Sequence, residues 1–340
     1  MLIVISDIMC RTANGWDING FGQLKDGRGN ICPVTIILPT LAMEAKDKYD
    51  NQVYELDADY HDDEVESIVD IFLEILNDAI YDAKDTLIER FEWICSQDSD
   101  AAKFMYENGL MAGYVPEEGI RSALKHGTLA VGQLGLAEAL QILIGEDHTS
   151  KYGMEVAKRI EQLFKRRCAQ FKEDYKLNFG VYYTPAENLS HTALKKFKEK
   201  YGIIPNVSDK KFFTNSMHVP VWREMSVFDK IDIESQLTGY SSAGCITYVE
   251  LDCGVSNNID ALEQMVNYAM EKDIPYFAIN VPNDTCLDCG YTSEFNDHCP
   301  ECGSTHIQQL RRVTGYLTGH YKTAFNDGKQ DEVERRVKHR

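Results

Sequence analysis

Two Cys-X-X-Cys pairs constrain the fold of this 340-residue chain more than any other feature. They are CLDC at 286–289 and CPEC at 299–302, separated by nine residues. Thiolates paired at this spacing converge on one tetrahedral ion, and Zn²⁺ prefers a closed site of sulfur ligands. We therefore predict a structural zinc site whose ligands are Cys286, Cys289, Cys299 and Cys302. Iron is the alternative metal for the same sulfurs.

Disulfide bonds are the alternative role for these cysteines, and the rest of the chain argues against them. The start, MLIVISDIMC, lacks the basic residues of a signal peptide and continues into polar sequence. No apolar run approaches the roughly 18–20 residues that are needed to cross a bilayer. We therefore expect a cytoplasmic protein without a membrane partner, whose ten cysteines stay reduced. His298 and His306 flank the pairs, and we expect neither to bind the metal.

The formal net charge of −19 argues against sequence-independent binding to nucleic acid, which needs Lys and Arg to displace phosphate counterions. Small zinc modules nevertheless often bind nucleic acid. A catalytically silent zinc-bearing scaffold or nucleic-acid-binding fragment is therefore one interpretation of the chain. The module carries acidic residues at Asp288, Glu294, Asp297 and Glu301, which disfavour a phosphate-binding face. We expect no stable nucleic-acid partner.

The hydrophobic pattern predicts an α/β fold. PVTIILP at 33–39 is typical of a buried strand bounded by prolines. Further strand-like runs are FGVYY at 179–183, CITYVEL at 245–251 and YFAIN at 276–280. Apolar positions at three- and four-residue spacing predict helices at Asp62–Gln97, Gly132–Ile144, Ser150–Tyr175 and Ile259–Lys272. Alternation of strands with helices indicates parallel βα units.

The composition changes after Val281, where Gly, Cys and Pro become more frequent and the hydrophobic period ends. We therefore predict an α/β body at 1–282, a zinc-binding module at 283–308 and a C-terminal tail at 309–340. The tail begins with RRVTGYLTG at 311–319, in which Gly315 lies between Thr314 and Tyr316. A turn is the ordinary role for a glycine in such a place.

Motifs along nearly the whole chain resemble those of one enzyme family. They are MCRT, NGFG and GRGN near the start, GLAEAL at 135–140, YTPAENL at 183–189, TNSMHVPV at 214–221, NYAMEKDIPYFAINVP at 267–282, the cysteine pairs, RRVTGYLTG and FNDGKQDEVERRVKH. This set resembles the C-terminal part of anaerobic ribonucleoside-triphosphate reductases, glycyl-radical enzymes that make deoxyribonucleotides without oxygen. The resemblance implies the second half of a ten-stranded α/β barrel, then a four-cysteine zinc module and a C-terminal glycyl-radical loop.

The resemblance assigns the radical chemistry to Gly315 and Cys10. Only glycine, which lacks a side chain, becomes a planar backbone radical without steric cost, so Gly315 is expected to store the radical. Cys10 in MCRT is expected to relay it as a transient thiyl radical that takes the 3′ hydrogen of the nucleotide. The ordinary alternatives are a turn glycine, which is the role we expect for Gly319, and a small buried apolar cysteine. The apolar role is expected for Cys32, Cys95, Cys168, Cys245 and Cys253.

Loss of the 2′ hydroxyl as water needs general acid/base catalysis, and Glu187 in TPAE is the candidate residue. Pro185 with an acidic first turn is also an ordinary helix start, so a helix-capping role is the alternative. That helix start would offer N–H groups to a nucleotide phosphate, and Thr184, Ala186 and Glu187 are expected to bind substrate. Asn30 in GRGN is expected to orient a ribose hydroxyl or formate, although an Asn beside Gly is more often a turn residue.

The resemblance also implies partners. The substrate is a ribonucleoside triphosphate, and a separate radical-SAM activase with a 4Fe-4S cluster uses S-adenosylmethionine to form the glycyl radical. Formate or a thiol protein supplies the electrons, and a homodimer is compatible with the family. Family members are much longer, so we expect a split-gene product, a fragment or a remnant whose N-terminal half lies on another chain. A glycyl-radical enzyme for another substrate is a third interpretation, which the TPAE and TNSMHVPV motifs disfavour.

Overall fold

The computed structural model describes residues 14–56, 64–295, 297–313, 316–318 and 320–339. Cys10, Thr314, Gly315 and Gly319 therefore lie outside the described residues. The chain forms two compact units. The first extends to Thr184 and includes Gly239–Cys245, and the second comprises Pro185–Thr238 and the residues from Ile246 onward. The boundary expected near residue 282 stays a prediction.

The first unit contains a parallel three-stranded sheet in the order β1-β2-β3, with helices in the connections. Its elements are β1 (Asn30–Ile37), α1 (Leu38–Leu56), α2 (Glu64–Cys95), α3 (Lys103–Glu107), α4 (Arg121–Leu124), β2 (Thr128–Leu134), α5 (Leu136–Ile144), α6 (Lys151–Tyr175) and β3 (Asn178–Tyr182). The expected parallel α/β class is confirmed here.

The second unit contains a parallel pair, β4-β5, and an antiparallel four-stranded sheet in the order β7-β6-β8-β9. Its elements are α7 (Leu189–Tyr201), α8 (Val227–Thr238), β4 (Thr247–Glu250), α9 (Ile259–Glu271), β5 (Phe277–Asn280), β6 (Asn283–Cys286), β7 (Thr292–Ser293), β8 (Ile307–Val313), β9 (Tyr316–Thr318), α10 (Tyr321–Ala324) and α11 (Asp327–Arg335). The sequence β4-α9-β5 is the expected βα unit.

The structure confirms the amphipathic helices predicted at Ser150–Tyr175 and Ile259–Lys272, and each begins directly after a capping residue. α6 begins after Ser150, whose hydroxyl accepts the Gly153 N–H at 2.9 Å. α9 begins after Asn258, whose side chain accepts the Ala261 N–H at 3.1 Å. Such caps satisfy a backbone donor that has no partner inside the first turn of a helix.

The helix predicted at Gly132–Ile144 is correct only in its second part, because Thr128–Leu134 forms β2. All seven residues of β2 are buried, so the strand lacks the two-residue alternation that would have revealed it. Gly132 lets the strands approach closely, since a Cβ there would lie 3.0 Å from the Tyr182 carbonyl oxygen. The helix α5 starts only after Gly135, which has a left-handed φ of 80°.

The prediction that prolines bound the first strand is wrong. Pro33 lies inside β1, and Pro39 lies in the first turn of α1, where its missing N–H costs nothing. The register of β1 against β2 shifts between Ile31 and Val34, and Cys32 has a left-handed φ of 47°. This irregularity accommodates a residue that cannot donate to the ladder, on a strand paired on one side only among the described strands.

The last described residues are fixed within the second unit. His339 donates its backbone N–H to the Glu250 carbonyl oxygen, and its Nδ1 accepts the Glu250 N–H, both at 2.9 Å. Arg336 forms an ion pair with Glu250 at 2.9 Å and donates to the Arg312 carbonyl oxygen at 2.6 Å. Burial lowers the pKa of His339 to about 4, so its ring is neutral and can accept. The tail is part of the fold.

A buried carboxylate, Asp17 of the NGWDINGFG stretch, joins the loop before β1 to the sheet of the first unit. Its oxygens accept the His126 Nδ1–H and the Asn178 amide, each at 2.7 Å. They also accept the backbone N–H groups of Asn19 and Phe21 at 3.0 Å. His126 precedes β2 and Asn178 opens β3, so one side chain links two strands to the loop. Sequence reasoning missed this role.

Asp17→Asn is expected to destabilise the protein by roughly 2 kcal/mol at neutral pH. Burial alone raises the pKa of Asp17, but hydrogen bonds from Asn178, His126, Asn19 and Phe21 outweigh it and lower the pKa from 3.8 to about 2. The folded pKa is below the unfolded one, so this stability is present above about pH 4 and is lost as the pH falls toward 2.

Urea unfolding from pH 2 to pH 7 measures this contribution. The difference between wild type and Asp17→Asn should shrink on the acidic side, whereas exposed Asp50→Asn should match wild type throughout. A difference that does not depend on pH would contradict the role of the carboxylate charge.

Candidate functional site

The predicted metal ligands lie together. The Sγ atoms of Cys286, Cys289, Cys299 and Cys302 all lie within 4.8 Å of one another. The Cys286–Cys302 and Cys289–Cys299 Sγ distances are both 3.6 Å, close to the edge of about 3.8 Å expected for a zinc–sulfur tetrahedron. All are free thiols, so the disulfide alternative is wrong for the described structure. The donor set and its spacing fit a closed, tetrahedral metal ion.

Two equivalent turns create this geometry. In each, a glycine directly follows the second cysteine and donates its N–H to the carbonyl oxygen of the first at 2.9 Å: Gly290 to Cys286, and Gly303 to Cys299. The glycines have φ values of 77° and 73°, a region that favours glycine because it has no Cβ. The repeated pattern Cys-X-X-Cys-Gly is the sequence signal for these turns.

His306, which follows the second cysteine pair, lies beside a carboxylate. His306 Nδ1 lies 3.1 Å from Asp288 Oδ1, and Asp288 also bonds Ser304. These exposed contacts connect the first cysteine turn to the segment that follows the second.

The TPAE segment does not begin a helix, contrary to expectation. α7 starts at Leu189, and the preceding residues Ala186 and Glu187 both have left-handed φ values, 52° and 45°. The Glu187 N–H donates to the Pro185 carbonyl oxygen at 2.6 Å, and the Leu189 N–H donates to that of Ala186 at 2.7 Å. Glu187 is therefore not a helix cap, and these N–H groups bond within the turn.

Two successive left-handed residues other than glycine are costly, at about 1–2 kcal/mol each. Such strain is concentrated at functional sites, where the surroundings hold the backbone in place. The side chain of Glu187 has a specific partner, because its Oε2 accepts the Tyr316 hydroxyl at 3.1 Å. Burial and the nearby Glu187 raise the pKa of Tyr316 to about 12, so the phenol keeps its proton. Sequence reasoning did not assign Tyr316.

Thr184 and Asn30 belong to the first unit, whereas Ala186 and Glu187 belong to the second. Thr184 is buried just beyond β3. Asn30 is the first residue of β1 and pairs with Thr128, so the alternative of a turn residue is wrong. Its Nδ2 donates to the Ala243 carbonyl oxygen at 3.0 Å, and it lines a cavity of about 330 Å³.

Residues on both sides of Gly315 are adjacent in the sheet. Val313, the last residue of β8, pairs with Tyr316, the first residue of β9, in an antiparallel ladder. Val313 is fully buried among Tyr321 and Phe325. The segments that flank Gly315 are thus anchored in the second unit.

The remaining cysteines within the described ranges divide into two groups by burial. Cys168 and Cys245 are buried, as expected for apolar thiols, and burial raises the pKa of Cys168 to about 12. Cys32, Cys95 and Cys253 are half-buried.

The model of one protein family, anaerobic ribonucleoside-triphosphate reductase, matches residues 5–339. The anaerobic ribonucleoside-triphosphate reductase of Escherichia coli K12 is 30% identical over 97% of this chain and 45% of its own length. That of enterobacteria phage T4 is 30% identical over 99% of this chain and 53% of its own length. The chain thus spans about half the length of these relatives. Among the described residues, no helix has the length and apolarity to span a bilayer.

Solved structures show the same fold. An anaerobic ribonucleotide reductase superposes with a TM-score of 0.70 at 21% identity, over 92% of this chain and 45% of that one. The Thermotoga maritima enzyme in complex with dATP and CTP gives a TM-score of 0.62 at 19% identity, over 94% and 47%. With its motifs, its four-cysteine cluster and its fold in agreement, the chain belongs to the anaerobic ribonucleoside-triphosphate reductase family.

Proposed function

We propose that this chain is the C-terminal catalytic part of an enzyme that reduces ribonucleoside triphosphates to deoxyribonucleotides without oxygen. The match across residues 5–339 carries the proposal, because it includes both Cys10 and Gly315. Thr184, Ala186 and Glu187 bind the substrate, and Asn30 orients a ribose hydroxyl or formate. The N-terminal half of the reductase is required for activity, since the chain spans about half the length of its relatives.

The radical moves in two hydrogen transfers. Cys10 gives its S–H hydrogen to the Cα radical of Gly315, which becomes an ordinary glycine and leaves a thiyl radical on sulfur. The thiyl then takes the 3′ hydrogen of the ribose. Glu187 accepts the proton of the 3′ hydroxyl and passes it to the 2′ hydroxyl, which leaves as water; this is general acid/base catalysis by a positioned carboxylate. Formate or a thiol protein supplies two electrons and two protons, and the 3′ hydrogen returns from Cys10. The thiyl radical that this leaves on Cys10 takes a hydrogen from Gly315, which restores the stored radical.

The partners follow from this chemistry. A radical-SAM activase with a 4Fe-4S cluster and S-adenosylmethionine removes the hydrogen from Gly315. Assembly of two copies and a cytoplasmic location complete the proposal. The nucleic-acid interpretation is disfavoured by the charge of the chain, which is −19.

Zinc is the metal proposed for the four-cysteine cluster, where it acts as a structural ion. Cys286 ends β6, which pairs with β8 from Ile307 to Leu310. The strand β8 continues to Val313, two residues before Gly315. A metal that holds Cys286 to the second cysteine pair therefore steadies the strand that leads to the radical glycine.

Purified protein is expected to contain about one zinc per chain, and Cys299→Ser to lose most of it. Without the metal, the amides of β8 should exchange faster with deuterium, because the module has few apolar contacts of its own. Metal analysis by mass spectrometry and hydrogen exchange measure the two effects. Cys95→Ser, which changes a half-buried cysteine of the first unit, is the control. An intact module that contains no metal would contradict the role of zinc.

Gly315→Ala and Cys10→Ser are expected to fail at different steps. With the activase, S-adenosylmethionine, a reductant and the N-terminal half under anaerobic conditions, Gly315→Ala should give no glycyl doublet in electron paramagnetic resonance. Cys10→Ser should give the doublet but form no deoxynucleotide, because an alcohol O–H bond is too strong for the stored radical to break.

Gly319→Ala is the matched glycine control and should keep the doublet. A doublet in Gly315→Ala would place the radical on another residue. Turnover by Cys10→Ser would rule out the thiyl relay and leave the storage site intact. Turnover by the isolated chain with the activase alone would contradict the need for the N-terminal half.

A further inference from the structure

The turn that carries Glu187 and the start of α7 are contacted at three points by the C-terminal segment, which we define as the described residues of 316–339. Tyr316 donates its hydroxyl to Glu187 at 3.1 Å. Asn326 donates its side-chain amide to the Asn188 side-chain oxygen at 2.6 Å. At Gly328 the backbone passes so close that an added Cβ would lie 2.6 Å from the Cβ of His191. All of these residues belong to the second unit.

The ring of Tyr316 is held in place by packing. It lies against the apolar cluster of Val313, Tyr321 and Phe325, with its centroid 6.1 Å from that of Phe325. The backbone of Tyr316 is fixed in the β8-β9 ladder by its pairing with Val313. A phenol anchored at its ring and its backbone presents its hydroxyl at a defined point, and Glu187 Oε2 lies at that point.

The Glu187 backbone is held just as firmly. Its N–H donates to the Pro185 carbonyl oxygen at 2.6 Å, and its carbonyl oxygen accepts the Ser190 hydroxyl at 2.9 Å. A glutamate side chain still has three rotatable bonds, and ordering it costs roughly 1.5–2 kcal/mol of rotamer freedom. The Tyr316 hydroxyl is the hydrogen-bond donor that the described residues offer to this carboxylate. It fixes Oε2 and leaves Oε1 for another group.

We propose that Tyr316 is a positioning residue for Glu187, which it holds with Oε2 engaged and Oε1 directed to the substrate. The inference rests on the catalytic role proposed for Glu187. Because Tyr316 directly follows Gly315, the carboxylate is aligned only while the strand next to the radical glycine is seated in the sheet. The hydrogen bond between Tyr316 and Glu187 thus connects the strand beside the radical glycine to the acid/base residue.

The test is Tyr316→Phe, which removes the hydroxyl and keeps the ring. In the enzyme assembled with its N-terminal half and activated anaerobically, kcat for nucleotide reduction should fall about tenfold. The yield of the glycyl doublet should stay within twofold of wild type, because Gly315 is not altered. The KM for the nucleotide should change much less than kcat, because Thr184 and Ala186 keep their contacts and only the Glu187 carboxylate loses its alignment. Tyr276→Phe, which removes an exposed tyrosine hydroxyl from the same unit, should match wild type in all three.

A double-mutant cycle shows whether Tyr316 acts through Glu187. Glu187→Gln should abolish most turnover, and adding Tyr316→Phe should cause no further loss. A further loss, or a Tyr316→Phe enzyme with wild-type kcat, would overturn the proposal. Wild-type turnover by Glu187→Gln would overturn it together with the catalytic role of Glu187, whereas absence of turnover and doublet in wild type refutes the proposed function alone.

A measurement that needs no turnover tests the Tyr316–Glu187 contact independently of the proposed reductase function. In protein labelled with ¹³C at glutamate carboxyl groups, the Glu187 resonance is identified by its absence in Glu187→Gln. It should shift in Tyr316→Phe and stay unchanged in Tyr276→Phe. An unshifted resonance in Tyr316→Phe would overturn the proposal whether or not the chain reduces nucleotides.

Discussion

Convergence of four thiols from two short turns is the constraint on which the second unit depends. The apolar core of this module consists of Cys286, Phe295 and Cys299, with Tyr291 and Ile307 packed against it. So small a core cannot offset the entropy of ordering the loops between the cysteines, and small modules of this kind rely on a metal. The antiparallel sheet continues from the module to Val313 and Tyr316, because Cys286 ends β6, β6 pairs with β8 and β8 pairs with β9.

Each of the two units is stabilised internally by its own kind of interaction. In the first, a parallel sheet with fully buried β2 is stabilised by apolar contact, and the single carboxylate of Asp17 secures the loop before β1. The second unit contains buried ion pairs. Lys230 and Glu234 form an ion pair there, and Arg336 and His339 attach the tail to Glu250. Buried pairs of this kind fix geometry more than they add stability.

Local sequence patterns predicted the parts of the structure that depend on local rules. The hydrophobic period of α6 and the spacing of the cysteine pairs depend on residues that are close together in the sequence. The helix and the cysteine cluster could therefore be predicted from the sequence alone. The strand β2 could not be predicted in this way, because burial on both faces removes the polar–apolar alternation on which a strand prediction rests. Pro185 gave a false helix start, since its preferred φ suits a helix but does not prevent two left-handed residues from following.

The site required long-range information. Glu187 and Tyr316 are 129 positions apart, and no periodicity or motif spacing reports a hydrogen bond between them. Asp17 and Asn178 are 161 positions apart, and their contact is equally invisible in the sequence. The family resemblance pointed to Glu187, but only the fold supplied the Tyr316 hydroxyl that donates to its carboxylate.

Attachment of the tail at Glu250 has a consequence for the fate of a damaged molecule. The described residues after Tyr316 are joined to the second unit through Asn188, Val221, Glu250 and Glu294 as well as through the chain itself. If the backbone were broken between Val313 and Tyr316, these bonds would still hold the two pieces. Such a nicked molecule would migrate as one particle under native conditions and separate into two polypeptides only in denaturant, so its scission would escape any assay of size alone.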